Sequence, residues 1–230
     1  MTGGFDAGEQ DRFARTGTHI DQLVFAHDAY MASANDHYDD VLREVSERIA
    51  VTGSAGKTDI AALVCWKRLN ASTVWVKELM QMPEDAVRDA TGLAFQRARA
   101  AERISEAAAN AIAALLPLPG LRRGGAVASA VLTAGVPERM AVYDRRAHAS
   151  LHNIGIPIGY TTGVYSRYMS AVEALRDDVN ASHGLRWRAR DVDLALYWMS
   201  NRGPEGVRMD ATDRDLRRAH HEALNRLLPR

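Results

Sequence analysis

No run of alternating β-branched residues bounded by turns occurs in the 230 residues, whereas apolar residues recur at helical spacing along most of the chain. A chain with only that period must bury helical stripes against other helices, so the fold class expected is all-α. Alanine, the strongest helix former, is abundant throughout. The spacing predicts roughly ten helices. The first two cover His19 to Ala34 and Asp36 to Ala50, the second stopped by Gly53. A third runs from Asp59 through Leu69, and Pro83, with Glu84 and Asp85 behind it, opens another. Phe95 to Leu116 reads as one long or broken helix, followed by a dense turn signal over 117–125 and a small-residue helix from Ala126 to Ala134. Asp144 caps a helix to about Ile154, a loop covers 155–163, and Val164 to Ala181, Asp191 to Asn201 and Thr212 to Leu228 complete the chain. Residues 1–16 are expected to be disordered. Residues 17–230 are expected to form a single all-α domain, in one lobe or two, because no linker of disordered composition divides them.

At 47% hydrophobic and 25% charged residues, the composition excludes wholesale disorder and leaves enough apolar side chain for a sizeable core. No stretch approaches the roughly 18 apolar residues of a membrane span, so no membrane partner is expected. The Gly-rich, acidic start lacks the basic and apolar regions of a signal peptide. The one cysteine, Cys65, excludes an intrachain disulfide and a cysteine-based zinc site, and its apolar neighbours read it as buried. A cytoplasmic location follows, nucleoid-associated if the chain binds DNA. The net charge of zero is unevenly spread: residues 1–50 balance at −6, while 119–154 and 184–230 each reach +3. Local basic patches are thus available to nucleic acid, although bulk charge does not demand it. Lysine is confined to Lys57, Lys67 and Lys77.

The most informative segment is Leu118-Pro-Gly-Leu-Arg-Arg-Gly-Gly-Ala-Val-Ala-Ser-Ala-Val-Leu-Thr133, with Val136-Pro-Glu-Arg-Met-Ala-Val-Tyr-Asp144-Arg-Arg behind it. A helix ends in a glycine-rich turn and a second helix leaves it. Glycines at Gly120, Gly124 and Gly125 let backbone N–H groups approach a ligand, and the N-terminus of the new helix favours an anion. A phosphodiester suits such a place, helped by Arg122 and Arg123. Beyond the second helix an aspartate, Asp144, stands behind an apolar pair at the start of a third.

These residues resemble the helix-hairpin-helix DNA glycosylase superfamily (HhH-GPD), with wording closest to its bacterial branch similar to 8-oxoguanine DNA glycosylases. The likeness is clear over 115–156, with the hairpin at about 111–134, and weaker over 59–116. It implies a compact multi-helix glycosylase-like domain that binds double-stranded DNA, flips a damaged base of 8-oxoguanine type and cleaves its N-glycosidic bond. Asp144 occupies the position of the carboxylate that stabilises positive charge on the sugar and orients water. Gly120, Arg122, Arg123, Gly124, Gly125, Arg145 and Arg146 would face the DNA, and Tyr143 and Trp66 are candidates for the base pocket. The segment Trp66 to Ser72 falls where the superfamily carries a DNA-wedging loop. Bifunctional members have a hairpin lysine whose amine attacks the sugar. Here the matching positions are Gly124 or Ala126, so the expectation is a monofunctional, water-using hydrolase without lyase activity through that position. The turn Leu-Arg-Arg-Gly-Gly also departs from the usual Gly-x-Gly. No cofactor is implied, and no iron–sulfur quartet of cysteines is present.

Each motif also has a plainer reading. Asp144 is an N-cap on either account, since a capping carboxylate can face a cleft. The glycines could serve only to turn the chain, and Arg145 or Arg146 could be solvated. An altered hairpin without catalysis would leave a DNA-binding module. A third class is an interaction protein whose acidic first fifty residues meet a basic partner. Gly53-Ser-Ala-Gly-Lys-Thr58 has two residues between its glycines where a phosphate-binding loop needs four, so Thr58 or Asp59 reads as a cap. His148 and His152 share a helix face but lack a third ligand, and no metal is expected. Gly184 to Arg190 interleaves Trp187 with arginines, as a strip gripping a phosphate backbone or as a loop with one anchoring tryptophan.

Overall fold

The computed structural model describes residues 18–33, 37–122 and 124–201. The predicted helix Thr212 to Leu228, the N-terminal tail and Arg123 lie outside them. The described residues contain ten helices and no strand. These are α1 (His19–Ser33), α2 (Asp40–Thr52), α3 (Lys57–Trp66), α4 (Val74–Gln81), α5 (Glu84–Ala100), α6 (Ile104–Leu115), α7 (Ala126–Gly135), α8 (Arg145–Asn153), α9 (Val164–His183) and α10 (Ala189–Asn201). Among the described residues no helix is long and apolar enough to cross a membrane.

Several boundaries follow from local chemistry. Gly53 ends α2 in the left-handed region at φ 74°, with its N–H on the Ile49 carbonyl. The cap of α3 is Gly56 rather than Thr58 or Asp59. Asp59 sits one turn in and reaches back, Oδ2 accepting the Gly56 N–H at 2.9 Å while Oδ1 takes Arg48 Nε at 2.9 Å. The segment Phe95 to Leu116 is broken: α5 ends at Ala100 and α6 starts at Ile104. Helix α4 has no counterpart in the sequence expectation. Its cap, Thr73, makes no side-chain capping bond, and eight residues give too little period to read.

Helix α7 is the axle of the fold. It packs on α2, α3, α5 and α6, and every residue from Val127 to Gly135 is buried. Its small residues are what allow four neighbours to approach so closely. At Gly135 an added Cβ would lie 2.2 Å from the Phe95 ring. Helices α5 and α6 run against each other and α9 covers α6. Cys65 is exposed, contrary to the expectation that its apolar neighbours bury it. Those neighbours, Leu63, Val64 and Trp66, take the inward stripe of α3, and Cys65 falls on the opposite side.

Candidate functional site

Between α7 and α8 the chain runs through Met140, Ala141, Val142 and Tyr143, all buried, without a strand to pair with. Backbone groups buried in this way must find other partners. Side chains from three helices supply them. Ser129 of α7 accepts the Tyr143 N–H at 2.9 Å, and Asp193 of α10 accepts the Val142 N–H through Oδ2 at 2.8 Å. From α9, the Tyr165 and Tyr168 hydroxyls donate to the Ala141 and Val142 carbonyls at 3.0 and 3.1 Å. The segment is fixed on both edges, and the next residue is Asp144.

Asp144 caps α8 as the sequence predicts, with φ −136° and ψ 145°. Its two oxygens do different work. Oδ1 accepts the Arg146 N–H at 2.7 Å, and Oδ2 takes Lys67 Nζ at 3.2 Å. Its side chain remains 23% exposed and that of Lys67 13%, so the pair lies on the wall of a cleft rather than in the core.

Lys67 is placed by the end of α3. Leu69 N–H bonds the Val64 carbonyl and Arg68 N–H that of Cys65, the two bonds of a Schellman motif. The left-handed position of that motif, normally glycine, is Arg68 at φ 53°, the one non-glycine residue described with positive φ. That costs roughly 1–2 kcal/mol and turns the chain directly after Lys67, whose Nζ reaches Asp144. Beside it, the Trp66 ring lies 5.7 Å from Lys67 Nζ and 5.3 Å from the Arg190 guanidinium. Trp66 Nε1 donates to Asp39 Oδ1 at 3.2 Å. Arg190 is gripped by Asp193 at 2.6 Å and Asp39 at 3.1 Å. Burial works against its charge, but the two carboxylates outweigh burial and hold it fully protonated. Burial also pushes Asp193 up to about 6, the shift limited by Arg190 and the Val142 N–H. Tyr30, Tyr38 and Tyr197 complete the walls. The cleft leaves about 30 Å³ of space, room for a water or two and not for a nucleobase.

The other predicted residues divide. Trp66 lines the cleft, but Tyr143 does not. Its ring packs edge-on against Tyr168 at 5.2 Å, and its hydroxyl meets His148 Nδ1 at 2.8 Å. Burial pushes Tyr143 up to about 12, so the phenol keeps its proton at neutral pH. Arg146 stands at the rim, bonded to the Tyr197 hydroxyl at 3.1 Å and lying over its ring, and Arg145 is exposed.

The glycine-rich turn links α6 to α7, and its glycines serve different ends. An added Cβ at Gly120 would strike the Trp75 ring at 2.2 Å, so the side-chain direction there is occupied although the residue itself is exposed. At Gly124 it would meet Tyr165 and Ile112 at 3.0 and 3.3 Å. Gly125, the cap of α7, has nothing within 4 Å and is the open one. Arg122 is exposed, its Nε donating to the Leu116 carbonyl at 3.1 Å. One turn into α7 from Gly125 stands Ser129, which holds the residue before Asp144. In the Gly184 to Arg190 strip, Trp187 is an anchor: it packs on His27 at 4.7 Å, and its backbone is bracketed by Asn180.

Sequence reasoning named Asp144 and Trp66 and placed Arg190 in a separate strip, but missed Lys67, Asp193 and the three tyrosines as lining of this cleft. The one signal for Lys67 was scarcity, since only three lysines exist to place. Comparison with family models, with curated proteins and with solved structures returns no match, so the site is read from its own geometry.

Proposed function

We propose that the chain is a DNA glycosylase-like protein that binds duplex DNA, takes a damaged base out of the stack and cleaves its N-glycosidic bond. The observation that carries this reading is Asp144, a carboxylate held rigidly at a cleft, at the end of the order helix, glycine turn, small-residue helix, pinned segment, aspartate. Cleavage builds positive charge on the deoxyribose, and a fixed carboxylate stabilises that charge without reorganising. It also orients a water toward the anomeric carbon, and the cleft beside it has room for one. Gly125 and the first turn of α7 offer backbone N–H groups to a phosphate, with Arg122, Arg145 and Arg146 as further cations. A flipped base needs more space than the closed cleft provides. For a base to enter, the Arg146–Tyr197 contact of 3.1 Å at its rim has to part. The resemblance suggests an 8-oxoguanine-type lesion.

The experiment is a base-release assay on duplexes bearing single lesions (8-oxoguanine, uracil, alkylated purines, mismatched adenine), with hot alkali to reveal abasic sites. Release at one lesion is the expected result. Failure on all of them by a folded protein that binds DNA would favour the second reading, a DNA-binding module without catalysis. That reading has its own support: both oxygens of Asp144 are already engaged, as a structural clamp would be.

A further inference from the structure

We propose that α1 is a lid on the cleft, latched to α9 and α10 by the ion pairs His183–Asp21 and His27–Asp191, and that it lifts as the two histidines lose their protons. The inference rests on the base-flipping reading above, which needs a wider cleft than the closed one, and it names what regulates the opening. Helix α1 brings one wall of that cleft, Tyr30, whose ring stands edge-on to Trp198 of α10 at 5.8 Å. Little that is apolar holds the helix down. Of its 15 residues only Ile20, Leu23 and Ala26 are buried, and its packing is chiefly on α9. An element with so few buried apolar side chains opens well before the core does.

The latch is made of charge more than of hydrogen bonds. Both ring nitrogens of His27 are buried. Nε2 lies 3.5 Å from Asp191 Oδ1 of α10, and Nδ1 lies 3.6 Å from Asp28 Oδ1 of α1 itself, too far for good hydrogen bonds. The Trp187 ring packs on the imidazole at 4.7 Å. Protonated, His27 is a cation between two carboxylates. Neutral, it leaves a buried donor and a buried acceptor unsatisfied, a cost that the closed position alone carries. One face further along, His183 Nε2 of α9 lies 3.3 Å from Asp21 Oδ1 of α1. The N–H and hydroxyl of Thr18 donate to Asp21 Oδ2 at 3.0 and 2.8 Å and hold that carboxyl below its usual range. Burial works against the charge of Asp191, but His27, the Arg188 N–H and the Arg188 guanidinium outweigh it. Asp21 and Asp191 therefore stay charged near neutral pH, and the histidines are the groups that titrate. Asp191 raises His27 above the ordinary histidine value, against burial and with Asp28 adding to it. A raised histidine gives its full stabilisation below about pH 6.5 and loses it as the pH climbs through the raised value. The lid is thus closed in weak acid and lifts toward the alkaline side of neutral.

The test is amide hydrogen exchange, read by mass spectrometry on the full chain without DNA. Opening of α1 is taken relative to that of α6 and corrected for the intrinsic effect of pH on exchange. Between about pH 6 and 8 the relative opening of α1 should rise at least about threefold in the wild type. His27→Gln lacks the charge, so α1 should already stand open near pH 6 and the rise should shrink. His183→Gln, at a position 32% exposed, makes the same test on the second pair if the first variant does not fold. A wild-type α1 that opens equally at the two pH values, or folded variants that keep the full rise, would overturn the proposal. Single-turnover base release with protein in excess then shows whether the motion serves the cleft. Near pH 6, His27→Gln should release the base at least about threefold faster than wild type, and near pH 8 the two should agree within about twofold. Equal rates near pH 6 despite an open α1 would overturn the lid. If no lesion is released at either pH, the glycosylase reading falls, and the exchange result decides the latch by itself.

Discussion

Replacing Ser129 by alanine tests how Asp144 is held. Ser129 is fully buried in α7, and its Oγ accepts the Tyr143 N–H at 2.9 Å while donating toward the Ala126 carbonyl at 3.2 Å. Alanine removes one oxygen and leaves that N–H buried without a partner, because its segment has no neighbouring strand. An orphaned buried donor costs about 1–3 kcal/mol. For a chain of this size, about 2 kcal/mol lowers Tm by roughly 4–8 °C. Thermal melting against Ser170→Ala, an exposed helix serine with the same kind of back-bond, supplies the control, and the control should shift by less than about 0.5 kcal/mol. Base release should fall further than stability does, since Asp144 follows directly. A Ser129→Ala protein melting within about 1 °C of wild type would refute the claim that side chains from α7, α9 and α10 fix this segment.

Other outcomes follow from the same geometry. Arg68→Gly relieves the left-handed strain at φ 53° and should raise Tm by about 2–4 °C, read by calorimetry. Gly125→Ala meets open space and a permitted backbone, so melting should not move, while DNA binding by anisotropy weakens if N–H groups of α7 hold a phosphate. Gly120→Ala, by contrast, drives a Cβ into Trp75 and should lower Tm. Burial holds His148 below the ordinary histidine value, with His152 and Arg167 adding to the shift. The unfolded chain therefore binds the extra proton first as pH falls. Stability from neutral His148 is complete above about pH 6.5 and is lost in acid, so His148→Gln should flatten the decline of Tm between about pH 7 and 5.

Local chemistry made much of the architecture legible. Gly53 stops a helix because only a left-handed residue closes it so cheaply, Pro83 precedes one, and Asp144 has the side chain and position of a cap. Tertiary chemistry stayed hidden. Lys67 and Asp144 are 77 residues apart, and no spacing rule links the end of one helix to the start of another. The hairpin glycines look equivalent in sequence, yet a Cβ at Gly120 would meet Trp75 and one at Gly125 would meet nothing, because a helix too short to foresee, α4, carries Trp75. Tyr143 adjoins Asp144 in sequence and points the other way, since successive residues of an extended segment face opposite sides.

Asp144→Asn, assayed beside the wild type for DNA binding and alkali-revealed base release, tests the central claim most directly. Asparagine caps a helix about as well as aspartate, so α8 and the fold should survive. It lacks the charge that stabilises a cationic sugar. The account predicts lesion-DNA binding retained or tightened and base release reduced about a hundredfold or more. Base release equal to wild type in a folded Asp144→Asn protein would contradict it.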